Sequence, residues 1–132
     1  MVTVGFRPVG ETILVVDDEA TILNVTRMTL ERAGYDVLAA KDPEETLLLC
    51  EKSPPLQIDL VVMDFVLPAM NGVTLAERIR RRRPNLPVLY CSAYPQNESL
   101  RPAIARGVPY LAKPFTREQL TTAVRAILDA ER

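Results

Sequence analysis

The stretch that decides the fold is Thr12-Ile13-Leu14-Val15-Val16-Asp17-Asp18-Glu19. Its apolar, β-branched part is continuous rather than alternating, which is typical of a parallel strand covered on both faces. The three acids that follow are expected to stand at the start of a helix, where the helix dipole favours negative charge. A buried parallel strand that leads into a helix predicts an α/β fold.

The same alternation of short apolar runs and helical periodicity recurs along the chain. Further strands are predicted at residues 35–40, 60–63, 88–91 and 110–112, and helices at about 20–33, 43–52, 73–83, 96–106 and 117–130. In the first helix Ile22, Val25, Met28 and Leu30 follow the spacing of a face packed on a core. Five strands alternating with five helices imply a parallel sheet with helices on both faces and right-handed crossovers.

Residues that favour helix ends predict where several helices begin or stop. Gly34 is expected to stop the first helix, and Asp42 with Pro43 is expected to open the second as N-cap and first helical residue. Pro54-Pro55 should close that helix, while Thr116 should cap the last one. Pro102 is tolerable in the fourth helix only if that helix begins a residue or two before it.

Length and composition predict one soluble domain at residues 11–131, preceded by a short extension at 1–10. The chain has 132 residues, 48% hydrophobic and 25% charged. No apolar run approaches the roughly 20 residues that span a bilayer, and the first ten residues lack the apolar stretch of a signal peptide. We therefore expect no membrane insertion.

Charge, cysteine and histidine content exclude several kinds of chemistry. A net charge of −1 gives no field to attract nucleic acid, so no direct nucleic-acid binding is expected. Cys50 and Cys91 lie inside apolar stretches, which predicts buried thiols and fits a cytoplasmic, reducing compartment. The absence of histidine from the sequence removes the usual general base, so any chemistry must use carboxylates, hydroxyls and lysine.

Polar residues directly follow four of the predicted strands: Asp17-Asp18, Asp64, Ser92 and Lys113. Because all strands of a parallel sheet point the same way, these groups should meet at one edge. Three carboxylates in one place repel unless their pKa values rise or a cation is held, and oxygen ligands suit Mg²⁺. Asp64 is then a candidate nucleophile that forms an acyl phosphate, with Ser92 and Lys113 holding phosphoryl oxygens.

Four motifs together resemble the response-regulator receiver domains of two-component signalling, over about residues 11–131. They are Ile13–Glu19, Asp64–Gly72 (Asp-Phe-Val-Leu-Pro-Ala-Met-Asn-Gly), Ser92-Ala93 and Lys113-Pro114-Phe115. The resemblance implies a flavodoxin-like (βα)5 fold with strand order 2-1-3-4-5. It further implies a phosphorylation-dependent switch that receives its phosphoryl group from a histidine kinase or phosphotransfer protein, and not a stand-alone metabolic enzyme.

The resemblance also implies a role for individual residues. Asp18 and Asp64 would ligate Mg²⁺ directly, Asp17 would do so through water, and the backbone carbonyl of Val66 would be a further ligand. Ser92 and Lys113 would contact the phosphoryl group on the acceptor.

Further implied features concern the readout of phosphorylation. Lys113-Pro114 would be a cis peptide, and Tyr110 would be a switch aromatic that turns inward when Ser92 moves toward the phosphate. The fourth helix, fifth strand and fifth helix would form the signalling surface, with a possible homodimer through it. Val66 and Tyr94 offer no carboxylate or amide to orient a hydrolytic water, which predicts slow self-dephosphorylation.

Other functions remain possible at this point. A Mg²⁺-dependent phosphohydrolase normally needs a second acid two residues after the nucleophile, where this chain has Val66. A nucleotide or flavin module is disfavoured because the turn after the first strand is acidic rather than glycine-rich. A degenerate receiver used only for docking, a free-standing regulator and a fragment of a hybrid kinase also stay open.

Two surface features have less specific interpretations. The cluster of Arg78 and 80–83 is expected to be a solvated face at a helix end, with partner or nucleic-acid binding as the alternative. Leu47-Leu48-Leu49 is expected to be core with one residue pointing outward.

Overall fold

The apolar runs form a five-stranded sheet in the computed structural model, which describes residues 10–52, 55–93 and 100–131. The strands are β1 Thr12–Val16, β2 Asp36–Ala40, β3 Leu60–Asp64, β4 Val88–Ser92 and β5 Tyr110–Ala112, and the helices are α1 Ala20–Arg32, α2 Pro43–Cys50, α3 Gly72–Arg82, α4 Arg101–Ala105 and α5 Arg117–Ala130. Neighbouring strands are parallel, in the order β2-β1-β3-β4-β5. The predicted fold class and strand order are confirmed.

Two hydrophobic cores lie on opposite faces of the sheet because successive strand side chains point to opposite sides. Leu14 and Met63 face the core that α2, α3 and α4 cover, whereas Ile13 and Val62 face the core covered by α1 and α5. The central strands β1, β3 and β4 are buried almost throughout. This burial on both faces explains why their sequences are continuous apolar runs.

The predicted caps are confirmed at three helix ends. The Asp42 carboxylate accepts a hydrogen bond from the backbone N–H of Glu45 at 2.8 Å, and Pro43 opens α2. Thr116 forms a reciprocal capping box with Gln119. Gly34 follows α1 with φ of 104°, a conformation that glycine adopts readily.

The buried face of α1 differs from the predicted one. Val25 and Met28 are 58% and 41% exposed, whereas Thr26 and Leu30 are buried. Leu30 is buried as predicted, but the orientation of α1 on the sheet buries Thr26 in place of Val25 and Met28. The start of the helix is as predicted: α1 begins at Ala20 and Glu19 is its N-cap, although the first turn itself holds no acid.

Several other predictions have a mixed outcome. The second helix ends at Cys50 rather than Lys52, and α4 is a five-residue helix with Pro102 as its second residue. Leu48 points outward at 63% exposure while its two leucine neighbours pack against the core, as predicted. The predicted segments at residues 1–9, Pro54 and 96–99 lie outside the described residues.

Two further structural predictions are confirmed. Cys50 and Cys91 are buried free thiols, and the Lys113-Pro114 peptide is cis. Among the described residues, no helix has both the length and the apolar character needed to cross a bilayer.

Candidate functional site

Polar side chains meet where the parallel strands end, at the edge of the sheet that we call the acceptor edge. Asp17 follows β1, and Asp64 is the last residue of β3. One carboxylate oxygen from each of Asp17, Asp18 and Asp64 lies within 4.8 Å of the others. The side chains of Asp17 and Asp64 are only 6% and 12% exposed, while Asp18 is exposed to solvent. The expected group of three carboxylates is therefore present.

Lys113 brings a positive charge into this acidic group. Its Nζ lies 2.8 Å from Asp17 Oδ2 and 3.5 Å from Asp64 Oδ1. Its backbone N–H donates to the carbonyl oxygen of Ser92 at 2.9 Å, which ties the end of β5 to the end of β4. The ammonium is thus placed beside both carboxylates by the sheet itself.

Burial and charge act together on the ionisation of the site. Burial raises the pKa of the Asp64 carboxyl. The Lys113 ammonium lowers this pKa and the Asp17 charge raises it, and the net shift is upward. Burial alone would lower the pKa of Lys113, but its hydrogen bond to Asp17 and the charges of Asp64 and Asp17 outweigh burial and raise it. Lysine therefore stays charged while the acids repel one another.

The loop after Asp64 holds this carboxylate from the other side. The backbone N–H of Val66 donates a hydrogen bond to the Asp64 carboxylate. Val66 also pairs with Asn71 in an isolated antiparallel bridge, and the Gly72 N–H donates to the Phe65 carbonyl at 2.6 Å. The chain thus turns back on itself before α3 begins.

Two residues of this loop have roles that the sequence analysis did not assign. The Asn71 side chain caps α3 by accepting from the backbone N–H of Thr74 at 2.9 Å. A Cβ on Gly72 would lie 3.1 Å from the Asp64 carbonyl oxygen and 3.1 Å from Phe65 Cα. An asparagine ahead of a helical pattern is a recognisable N-cap, but a close backbone approach has no such sequence pattern.

The other predicted residues are placed as follows. Ser92 ends β4 at 1% exposure, in register with Ala112. Tyr110 begins β5 and is 44% exposed, and the Val66 side chain is 55% exposed. Tyr94 lies outside the described residues. The structure brings the carboxylates, Lys113 and Ser92 to one edge and leaves Tyr110 at the surface beside it.

The donor set fits a hard divalent cation. Its members are carboxylate oxygens, with no sulfur or imidazole among the three residues. A cation there would offset the repulsion that burial strengthens at Asp64. Oxygen-only coordination of this kind is what Mg²⁺ prefers.

Comparison with solved structures finds receiver domains that share this fold. A receiver domain described as CheY-like from Methanospirillum hungatei JF-1 is 30% identical with a TM-score of 0.81, covering 91% of this chain and 94% of that one. The receiver domain of the hybrid histidine kinase CckA is 33% identical with a TM-score of 0.74, covering 89% of this chain and 98% of that one.

Sequence comparison leads to transcriptional regulatory proteins and to the same domain family. The alkaline phosphatase synthesis transcriptional regulatory protein PhoP of Bacillus subtilis is 36% identical over 117 residues, which cover 88% of this chain and 48% of that protein. The chain thus spans about half the length of this curated relative. The family model of the response regulator receiver domain matches residues 13–125. The chain therefore belongs to the response regulator receiver domain family, whose members are phosphorylation-dependent signalling domains and not metabolic enzymes.

Proposed function

We propose that this domain is a signalling switch that accepts a phosphoryl group on Asp64 and then changes its partner-binding surface. The observation that carries the proposal is the position of Asp64, largely buried, within 4.8 Å of two other carboxylates and 3.5 Å from Lys113 Nζ. A carboxylate kept from solvent beside a fixed cation is suited to act as a nucleophile toward phosphorus.

The transfer step needs one bond to form and one to break. A carboxylate oxygen of Asp64 attacks phosphorus, and the bond from phosphorus to the donor's histidine nitrogen breaks. Lys113 can hold one phosphoryl oxygen by charge, and the Ser92 hydroxyl can donate a hydrogen bond to another. The acyl phosphate that results carries the signal.

Mg²⁺ belongs to the same proposal. Asp18 and Asp64 would hold it directly, Asp17 through water, and Val66 through its backbone carbonyl. When bound, the cation would offset the negative charge that otherwise keeps a phosphoryl group away from Asp64.

The donor surface that we propose lies beside Lys113. A groove there is lined by Ile22, Val25 and Thr26 of α1 together with Pro114 and Phe115, and Val25 is 58% exposed. An exposed apolar surface next to the acceptor edge suits a protein donor, either a histidine kinase or a phosphotransfer protein.

Val25→Asp should slow labelling by a phosphorylated phosphotransfer protein and leave labelling by acetyl phosphate unchanged. Equal slowing with both donors would contradict this placement of the donor surface.

Acetyl phosphate and mass spectrometry test the acceptor directly. With Mg²⁺, the protein should gain the mass of one phosphoryl group, and Asp64→Asn should abolish the gain. Asp129→Asn, an exposed change far from the acceptor edge on α5, is the matched control and should not affect it. Labelling that persists in Asp64→Asn would overturn the proposal, and multiple turnover of a phosphomonoester would support the phosphohydrolase instead.

The output that we propose uses α4, β5 and α5, with Tyr110 as the switch. Because Tyr110 is 44% exposed, an inward turn would hide its ring. Beryllofluoride should therefore protect Tyr110 from nitration, and unchanged nitration would contradict the switch. We expect a homodimer through this face to form only when beryllofluoride is bound. We also propose that the output acts through protein contacts in the cytoplasm, without direct binding of nucleic acid.

A further inference from the structure

The groove between α2 and α3 contains the most exposed large apolar side chain of the described residues. Leu48 is 63% exposed, and Pro43, Leu47, Pro68 and Met70 line the groove beside it. An exposed leucine alone is ordinary, but here it continues an apolar surface. The groove reaches the loop after Asp64 at Pro68 and Met70, but it lies outside the group of three carboxylates and outside the proposed signalling surface.

Charges around this groove are divided between its two helices. Glu44 on α2 and Glu51 directly after α2 are exposed and occupy the same face as Leu48, four residues before it and three after it. On α3, Arg78 also lines the groove, and Arg82 lies one turn further along, both exposed. An acidic helix edge therefore lies beside a basic helix edge.

This division makes the surface complementary to itself. The two helices follow strands of one parallel sheet and cover the same face, so they run in the same direction, away from the acceptor edge. A two-fold axis through α2 would place Glu44 against Glu51 of a second copy, which is repulsive. An axis between the helices instead places α2 of one copy antiparallel on α3 of the other, where Glu44 meets Arg78 and Arg82.

We propose that the α2–α3 groove is a self-association surface for two copies of this chain, related by a two-fold axis between the helices. Each Leu48 enters the apolar part of the other copy's groove, and each acidic edge of α2 pairs with a basic edge of α3. The surface is isologous, as expected of a symmetric dimer. Because each copy supplies one apolar anchor and exposed charge pairs contribute little, the association is weak.

Sedimentation equilibrium of the unphosphorylated protein, up to about 1 mM, tests this proposal. We expect a monomer–dimer equilibrium that weakens as the salt concentration rises. Leu48→Glu should lower the association constant by at least about tenfold because it puts a charge into the apolar contact. Leu48 is exposed in the monomer, so the variant should keep the circular dichroism spectrum of the folded chain.

Exchanging charges between α2 and α3 tests whether the α2–α3 groove is the surface that associates. Glu44→Arg and Arg78→Glu should each lower the association constant by about threefold to tenfold, and the double variant should restore it. Met28→Glu, on a helix that covers the other face of the sheet, is the matched control and should not change it. A monomer at every concentration, an unchanged constant in Leu48→Glu, or no restoration in the double variant would overturn the proposal.

Discussion

Gly72 follows the loop after Asp64 and lies close to the backbone of Asp64, so there is little room for a side chain at this position. An alanine Cβ at this position would lie 3.1 Å from the Asp64 carbonyl oxygen, so the backbone of the acceptor residue must shift. We expect Gly72→Ala to lower the free energy of unfolding by about 1–3 kcal/mol and to slow labelling of Asp64 by acetyl phosphate. Urea unfolding and the initial labelling rate measure the two effects.

Gly107→Ala is the control for that change. Gly107 has φ of 89° with no atom within 4 Å of an added Cβ, so its substitution strains the backbone without touching the site. It should cost about 1 kcal/mol of stability and leave the labelling rate unchanged. Equal labelling by wild type and Gly72→Ala would show that the close approach does not matter for transfer.

Val66 is the basis for the lifetime that we expect of the proposed acyl phosphate on Asp64. Its side chain is 55% exposed and cannot orient a water for attack on the acyl phosphate. We expect the purified, Mg²⁺-loaded phosphoprotein to lose its phosphate over minutes or longer, and Val66→Asn to speed the loss by at least about tenfold. Val66→Ile is the matched apolar control. Loss within seconds in the wild type would refute the prediction.

Cys91 contributes a dependence of stability on pH. Burial raises the pKa of its thiol to about 12, while in the unfolded chain it stays near 9.0. Because the folded-state pKa is the higher one, the stabilisation is complete below pH 9 and is lost as the pH rises from about 9 to about 12. Between pH 8 and pH 10, the urea midpoint should fall further for wild type than for Cys91→Ala; equal falls would contradict this assignment.

At the scale of elements, α5 depends on its first turn. The Thr116 hydroxyl accepts from the Gln119 backbone N–H at 3.0 Å, and the Thr116 backbone N–H donates to the Gln119 side-chain oxygen at 2.8 Å. Thr116→Ala should lower the free energy of unfolding by about 1 kcal/mol. Thr121→Ala in the same helix removes a hydroxyl that bonds back to the Arg117 carbonyl, and it should be nearly neutral. Similar losses in both variants would argue against the cap.

The exposed face of α1 shows that hydrophobic periodicity does not by itself decide which face of a helix is buried. Spacing alone predicted that Val25, Met28 and Leu30 lie inward. The structure buries Leu30 as predicted, but it buries Thr26 in place of Val25 and Met28. Residues three and four apart mark a helix face, but two such faces overlap when apolar residues are frequent. The choice between them depends on how α1 lies on the sheet, which is a tertiary property.

At the scale of the molecule, Arg125 joins parts of the chain that are far apart in sequence. Its guanidinium donates to both carboxylate oxygens of Glu11, at 3.1 and 3.0 Å, and to the Tyr35 hydroxyl at 3.0 Å. The network connects α5 to the beginning of β1 and to the turn before β2. It lies at the sheet edge opposite to the acceptor edge, so it supports the fold without entering the site.

Arg125→Met should lower the free energy of unfolding by about 1 kcal/mol because it removes a bidentate ion pair with Glu11. The loss should be smaller at high salt because the arginine is 40% exposed. Arg27→Met, which removes an exposed pair with Glu31 and an exposed hydrogen bond to Asn24, should lower the free energy of unfolding by no more than about 0.5 kcal/mol. Urea unfolding at two salt concentrations measures both. A loss for Arg125→Met no larger than that of the control would contradict a role in joining the elements.

The sequence by itself determined the α/β class, the strands and the residues at the strand ends. Continuous apolar runs specify strands buried on both faces, and parallel strands bring their carboxyl ends to one edge; together these place Asp17, Asp64 and Ser92 there. Only the tertiary structure decided the distances between Lys113 and the carboxylates, the close backbone approach at Gly72, and the outward face of α1. Those features depend on atoms brought together from separate elements, and local spacing along the chain carries no record of such contacts.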